Sequence, residues 1–218
     1  EWVLHGETVL YAAADSIMAT LEYDFHTEKM FSYQGLALQE SVKHLAKFTS
    51  DIWQIHPFCE GNTRTTAVFM IKYLKTFGFE IENDAFSNHS WYFRNALVRA
   101  NYNNLKEGVY ATTEYLEKFF DNLLLGTNYE LKNRDLHVGA LKKVQSANLM
   151  NSKCNHCTLE EMAVLKIIKK TPEITQKELA ASMGKSERTI KTITVGLQKK
   201  GIIKRENGKR NGRWVFCD

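Results

Sequence analysis

The stretch His56-Pro57-Phe58-Cys59-Glu60-Gly61-Asn62-Thr63-Arg64-Thr65-Thr66 sets the frame for everything around it. It lies between two segments of helical periodicity, Leu38–Gln54 and Thr63–Thr76, and Gly61 permits a tight loop just before the second. The first backbone N–H groups of a helix have no partner inside it, and the helix dipole adds partial positive charge, so such a loop suits an anion, phosphate above all. Arg64 can fork onto phosphate oxygens, and Glu60 can give a carboxylate oxygen to Mg²⁺. A histidine titrates near neutral pH, which makes His56 a candidate general base. Residue chemistry alone leaves two readings open here, a phosphate loop with a base and a plain capped helix corner.

Around this loop the composition is that of a folded globular chain: 44% hydrophobic and 25% charged residues exclude disordered, collagen-like and coiled-coil classes. The 218 residues suffice for one mid-sized domain and a small satellite. With only two prolines, Pro57 and Pro172, long helices run almost uninterrupted, so a mainly α fold is expected. Further apolar faces recur at Ala14–Glu28, Trp91–Tyr102 and Tyr110–Leu125; Gly78 and Gly126 offer stops, and Asp84 and Ser87 offer N-caps. Glu7–Tyr11 alternates as a short extended segment, and Phe58 is expected to anchor the loop in the core. No apolar run approaches the roughly 20 residues of a membrane span. No secretion signal is legible either, so the expected compartment is the cytoplasm. The first residue, Glu1, suggests a native chain that extends further upstream.

Charge is unevenly spread. Residues 1–158 hold 15 Lys and Arg against 18 Asp and Glu, whereas 159–218 hold 14 against 7, so the tail faces either a polyanion or only solvent. Residues 136–158 read as a helix and linker. Beyond them, helices are expected at Leu159–Lys170, Gln176–Met183 and Ser186–Lys200, followed by strands Ile202–Arg205 and Arg213–Phe216 around a turn-forming NGKRNG. Four cysteines are too few for a disulfide framework, and Cys154-Asn155-His156-Cys157 lacks a second pair at zinc-finger spacing.

The run HPFCEGNTRTT closely resembles the Fic motif, His-Pro-Phe-x-Asp/Glu-Gly-Asn-Gly-Arg-x-x-Arg, and the helices across residues 1–135 resemble that family's helical-bundle core. The resemblance implies a protein adenylyltransferase, which moves AMP from ATP, with Mg²⁺, onto a Ser, Thr or Tyr hydroxyl of a target protein. It makes His56 the base, Glu60 the metal ligand, and Gly61, Asn62, Thr63 and Arg64 the phosphate site. Tyr92, Asn95 and Tyr102 become nucleotide candidates, and Glu7, Thr8, Val9, Leu10 and Tyr11 a short β-hairpin flap holding the target by strand addition. Two positions depart from the motif: Thr63 replaces its second Gly and Ala67 its final Arg, with Lys72 and Arg94 as stand-ins for the lost charge. No segment matches the family's inhibitory Ser/Thr-x-x-x-Glu-Gly/Asn helix, which leaves that helix upstream of Glu1 or control by another means.

Residues 159–218 resemble the winged helix-turn-helix found at the C-terminus of many bacterial Fic proteins. Its recognition helix would be Ser186–Lys200, with Lys185, Arg188, Lys191, Lys209 and Arg210 as DNA-contact candidates; homodimerisation or target docking is the other use of such a fold. Two competing functions accompany the transferase. One is a DNA-binding regulator with a regulatory Fic module, and the other a Fic enzyme using a different donor or removing AMP.

Overall fold

The structure is a computed structural model that describes residues 2–139, 157–206 and 212–217. Lys209, Arg210, Cys154 and most of the 136–158 linker lie outside these residues. The chain is mostly helical and divides into two units. The first takes in the described parts of residues 1–33, 39–71 and 82–150; the second takes in 34–38, 72–81 and the described parts of 151–218.

The helices that build or cross into the first unit are α1 (Ile17–Met30), α2 (Leu38–Ile55), α3 (Asn62–Thr76), α4 (Asp84–Ser87), α5 (Ser90–Ala100) and α6 (Glu114–Phe120), the last running into a π-helical turn at Asp121–Leu125. In α2 the buried residues Val42, Leu45, Ala46, Thr49 and Trp53 fall at three- and four-residue spacing, the stripe that binds an amphipathic helix to a core. Thr49 joins that stripe because its hydroxyl donates to the Leu45 carbonyl at 2.6 Å. Most of α5 is buried, with Phe93 edge-on to Phe86 at 5.0 Å and packed on Phe119 at 5.1 Å. Aromatic pairs of this kind each add about 0.5–1.5 kcal/mol beyond area burial. This cluster holds α4, α5 and α6 together, so whatever α5 presents sits on a rigid base. Asp84 and Ser87 lie within α4 and do not cap α5, which begins after His89 without a side-chain cap.

Glu7–Tyr11 does not form the expected hairpin. Residues 7–13 have no regular secondary structure, and the sheet among the described residues lies in the second unit. The reason is local competition: the Leu10 carbonyl accepts from the Gln54 side chain at 3.1 Å, and the Ala12 N–H donates to the Gln54 carbonyl at 3.4 Å. The segment is tied to the end of α2, and these backbone groups are spent there instead of in a strand ladder.

In the second unit, α7 (Leu159–Lys170), α8 (Gln176–Met183) and α9 (Glu187–Lys199) precede antiparallel strands β1 (Ile203–Glu206) and β2 (Arg213–Phe216), with Ile203 opposite Phe216 and Arg205 opposite Trp214. Capping boxes start α7 at Thr158 with Glu161 and α8 at Thr175 with Glu178, while the Ser186 hydroxyl caps α9. Leu159, Ile168, Leu179, Ile190 and Leu197 form its core, and the Trp214 indole donates to the Ile174 carbonyl at 2.9 Å, which fastens the hairpin. Residues 72–81 belong to this unit: at Gly78, φ +95°, a β-carbon would press on the Met183 side chain and force it to shift. Nearby, the Lys166 ammonium lies 5.9 Å from the Phe79 ring, and burial pushes its pKa down to about 8. Among the described residues no helix is long and apolar enough to cross a membrane.

Candidate active site

The loop between α2 and α3 opens a cleft of about 370 Å³ lined by Trp53, His56, Glu60, Gly61, Asn62, Thr63, Arg64 and Arg94. His56 follows the last residue of α2 and holds a left-handed backbone, φ 54°, a conformation that side chains other than glycine adopt at a cost. Its imidazole is clamped by aromatics, with the Tyr11 ring 3.8 Å away at 33° and the Trp53 ring 5.7 Å away edge-on. Tyr11 also meets Trp53 at 5.6 Å. Segment 7–13 therefore does reach the site, through the Tyr11 ring tilted against the His56 imidazole, although it is not a strand.

Gly61 stands before the start of α3 with φ +80°, and its carbonyl takes the Thr65 N–H at 2.9 Å. A glycine brings no side chain to cap the first turn, and that turn contains no acid. The helix start is thus a positive, donor-rich end open to an anion. Arg64 is exposed and folds back over Gly61: a β-carbon built there would lie 3.6 Å from one guanidinium nitrogen. Glu60 is exposed on the same rim. Among the described residues no group of three His, Cys, Asp or Glu side chains converges to hold a metal. The lone carboxylate of Glu60 fits Mg²⁺, which commonly takes one or two protein carboxylates and completes its shell with substrate oxygens and water.

Two motif side chains do work that their order in the chain does not reveal. Asn62 is 5% exposed and grips the loop backbone twice, accepting from the Phe58 N–H at 3.0 Å and donating to the Phe58 carbonyl at 2.6 Å. Its amide is thereby committed to bracing the loop. Thr63, where the motif has Gly, accepts the indole N–H of Trp53 at 3.0 Å; Trp53 is 1% exposed, and the hydroxyl meets the need of a buried donor. Phe58 is not a core anchor. It is 51% exposed, and the loop is anchored by its backbone, because Asn62 satisfies both of its main-chain groups.

The remaining expected contacts divide. Arg94 lines the cleft. Tyr92 does not: it is buried in the α5–α6 core, its hydroxyl donates to the Tyr115 carbonyl at 3.2 Å, and burial drives its pKa upward. Asn95, 1% exposed, donates to Asn133 at 2.8 Å, and Tyr102 donates to Glu7, which ties segment 7–13 to the turn after α5. None of these three is among the cleft-lining residues. Core packing, the expected role of both Trp91 and Phe93, holds for Phe93 at 1% exposure but not for Trp91, which is 64% exposed, because periodicity alone does not say which face of α5 turns outward.

On α9, Arg188 and Lys191 are exposed as expected. Lys185 is committed elsewhere, in an ion pair with Glu160 at 2.6 Å. Around the wing, the Lys204 ammonium lies 2.9 Å from Glu206, and the Arg205 guanidinium covers the Trp214 ring at 4.9 Å.

No curated protein and no solved structure matches the chain. Family models do match: the Fic/DOC family over residues 7–74 and the MarR family over residues 157–215. The first spans the cleft loop, α2 and most of α3, and the second spans the three helices and hairpin of the C-terminal unit, so the chain joins a Fic/DOC-family domain to a MarR-family winged-helix domain.

Proposed function

We propose that this chain is a cytoplasmic protein adenylyltransferase that transfers AMP from ATP to a Ser, Thr or Tyr hydroxyl of a target protein. One observation carries the reading: a clamped imidazole, an uncapped helix N-terminus, a carboxylate and two guanidiniums line a single cleft. Phosphoryl-type transfer asks for little more than positioning and charge stabilisation, and these groups supply both. His56 takes the proton of the acceptor hydroxyl as its oxygen bonds to the α-phosphorus; the bond to the bridging oxygen breaks and pyrophosphate leaves. The α3 N-terminus and Arg64 hold the phosphates through the charge build-up, and Glu60 would hold Mg²⁺, which when bound neutralises phosphate oxygens. Tyr11 fixes the plane of the imidazole. The test is incubation with α-phosphate-labelled ATP and Mg²⁺ in lysate, then intact mass of the labelled protein. Label that persists in His56→Ala would refute the assignment of the base, and a mass increment other than that of AMP would refute the donor.

A second role is favoured by a separate observation. The exposed Arg188 and Lys191 lie on a Ser186-capped helix inside a MarR-family domain, the arrangement that presents cations to duplex DNA. We propose that this domain binds DNA and that the chain links group transfer to transcriptional control. Salt-dependent duplex binding that is unchanged in His56→Ala is expected.

A further inference from the structure

Position 67, the motif's usual final Arg, is an alanine on α3 with 9% exposure and no charge to offer. Of the two cations considered as replacements, Lys72 groups with the second unit. Arg94 stands in the cleft wall with His56, Glu60 and Arg64, all within the first unit. It comes from α5, whose neighbouring residues Tyr92, Phe93, Asn95 and Ala96 are buried, so its backbone is fixed while its own side chain stays half-exposed.

The charge balance of the cleft then has a meaning. A single phosphate is matched by the α3 N-terminus with Arg64 beside it. With the Glu60 carboxylate of the same cleft reserved for the metal, a second guanidinium delivered from another helix exceeds what one phosphate needs and suits a chain of them, because two cations on separate rigid supports meet two separated anionic groups. We infer that Arg94 is the second phosphate-chain contact of this site, supplying from α5 the charge that position 67 lacks, and that it selects nucleotides by their number of phosphates. The inference rests on the nucleotide reading of the cleft and adds the residue that sets its specificity.

Calorimetric titration of the full chain with ATP, ADP and AMP, each with MgCl₂, tests it in the wild type, Arg94→Ala and Arg94→Gln. Loss of one charge-assisted contact corresponds to roughly 10-fold to 100-fold weaker binding. Both variants should show that loss for ATP and less than about twofold for AMP, so that the ATP-to-AMP affinity ratio collapses, whereas Arg64→Ala should weaken all three ligands. Arg94→Gln keeps the bulk of the side chain and serves if alanine disturbs folding, with thermal unfolding as the control. A ratio preserved in Arg94→Gln, or ATP and AMP weakened by the same factor, overturns the Arg94 assignment and leaves the nucleotide site standing. A wild type that binds none of the three overturns both.

Discussion

Replacing Thr63 with valine keeps the side-chain shape and removes the oxygen that receives the Trp53 indole N–H at 3.0 Å. Trp53 is 1% exposed, so the freed N–H cannot turn to water. A buried donor left without a partner costs about 1–3 kcal/mol. The β-branched outline and the helix propensity barely change, so little offsets that loss. Calorimetric unfolding should show the loss in the first unit, with a shift of roughly 2–4 °C for each kcal/mol. Trp53→Phe deletes the donor, so in the double variant the Thr63→Val change should cost almost nothing further. The cycle should return a coupling energy of about 1 kcal/mol or more. Thr63→Gly restores the commoner motif letter and yet is expected to be the worse change, since it loses the same acceptor and adds about 0.5–1 kcal/mol of glycine backbone entropy within a helix. Stability of Thr63→Val within about 0.3 kcal/mol of wild type, or full additivity in the cycle, would refute the reasoning.

Other expectations are as specific. Burial, with a smaller contribution from Glu117, raises the Asp121 pKa from 3.8 to about 6 against the lowering effect of a Gln39 hydrogen bond. The folded state therefore keeps a proton between these values that the unfolded state has lost, and stability falls as pH rises from about 4 to 6, by at most about 3 kcal/mol. Asp121→Asn should flatten that segment of a stability–pH curve measured by urea unfolding and raise stability at pH 7. Gly78→Ala must accept φ +95° and press on Met183, so the second unit should lose about 1–3 kcal/mol, read from its own calorimetric transition. Arg188→Ala with Lys191→Ala should weaken duplex binding across all sequences and reduce the slope of log K against log salt by about 2, measured by fluorescence anisotropy.

What was legible in the sequence was what local physics determines. The 3.6-residue stripe located α2, α7 and α8, the last two with their observed bounds, and in the structure the pairs Thr158–Glu161 and Thr175–Glu178 close the first turn of each. Strand alternation at Glu7–Tyr11 misled because Gln54, more than forty residues away, claims the backbone groups a hairpin would use. The same limit explains Thr63 and Asn62. A motif lists their identities, but the partners Trp53 and Phe58 are found only once the loop is folded. The ion pair of Lys185 escaped the sequence for a matching reason, since its partner Glu160 lies on another helix.

The backbone of His56 carries a consequence for how this protein can change over time. At φ 54° a glycine would sit at ease, and exchanging the histidine for it would release roughly 1 kcal/mol of strain, set against the loss of its stacking on Tyr11. Exchange for glycine is therefore close to free in folding terms, whereas alanine keeps the strain and loses the ring contact, so a lineage that used the chain only as a DNA-binding scaffold would meet little resistance on the glycine route. A histidine held on this backbone fits the proposed role of general base.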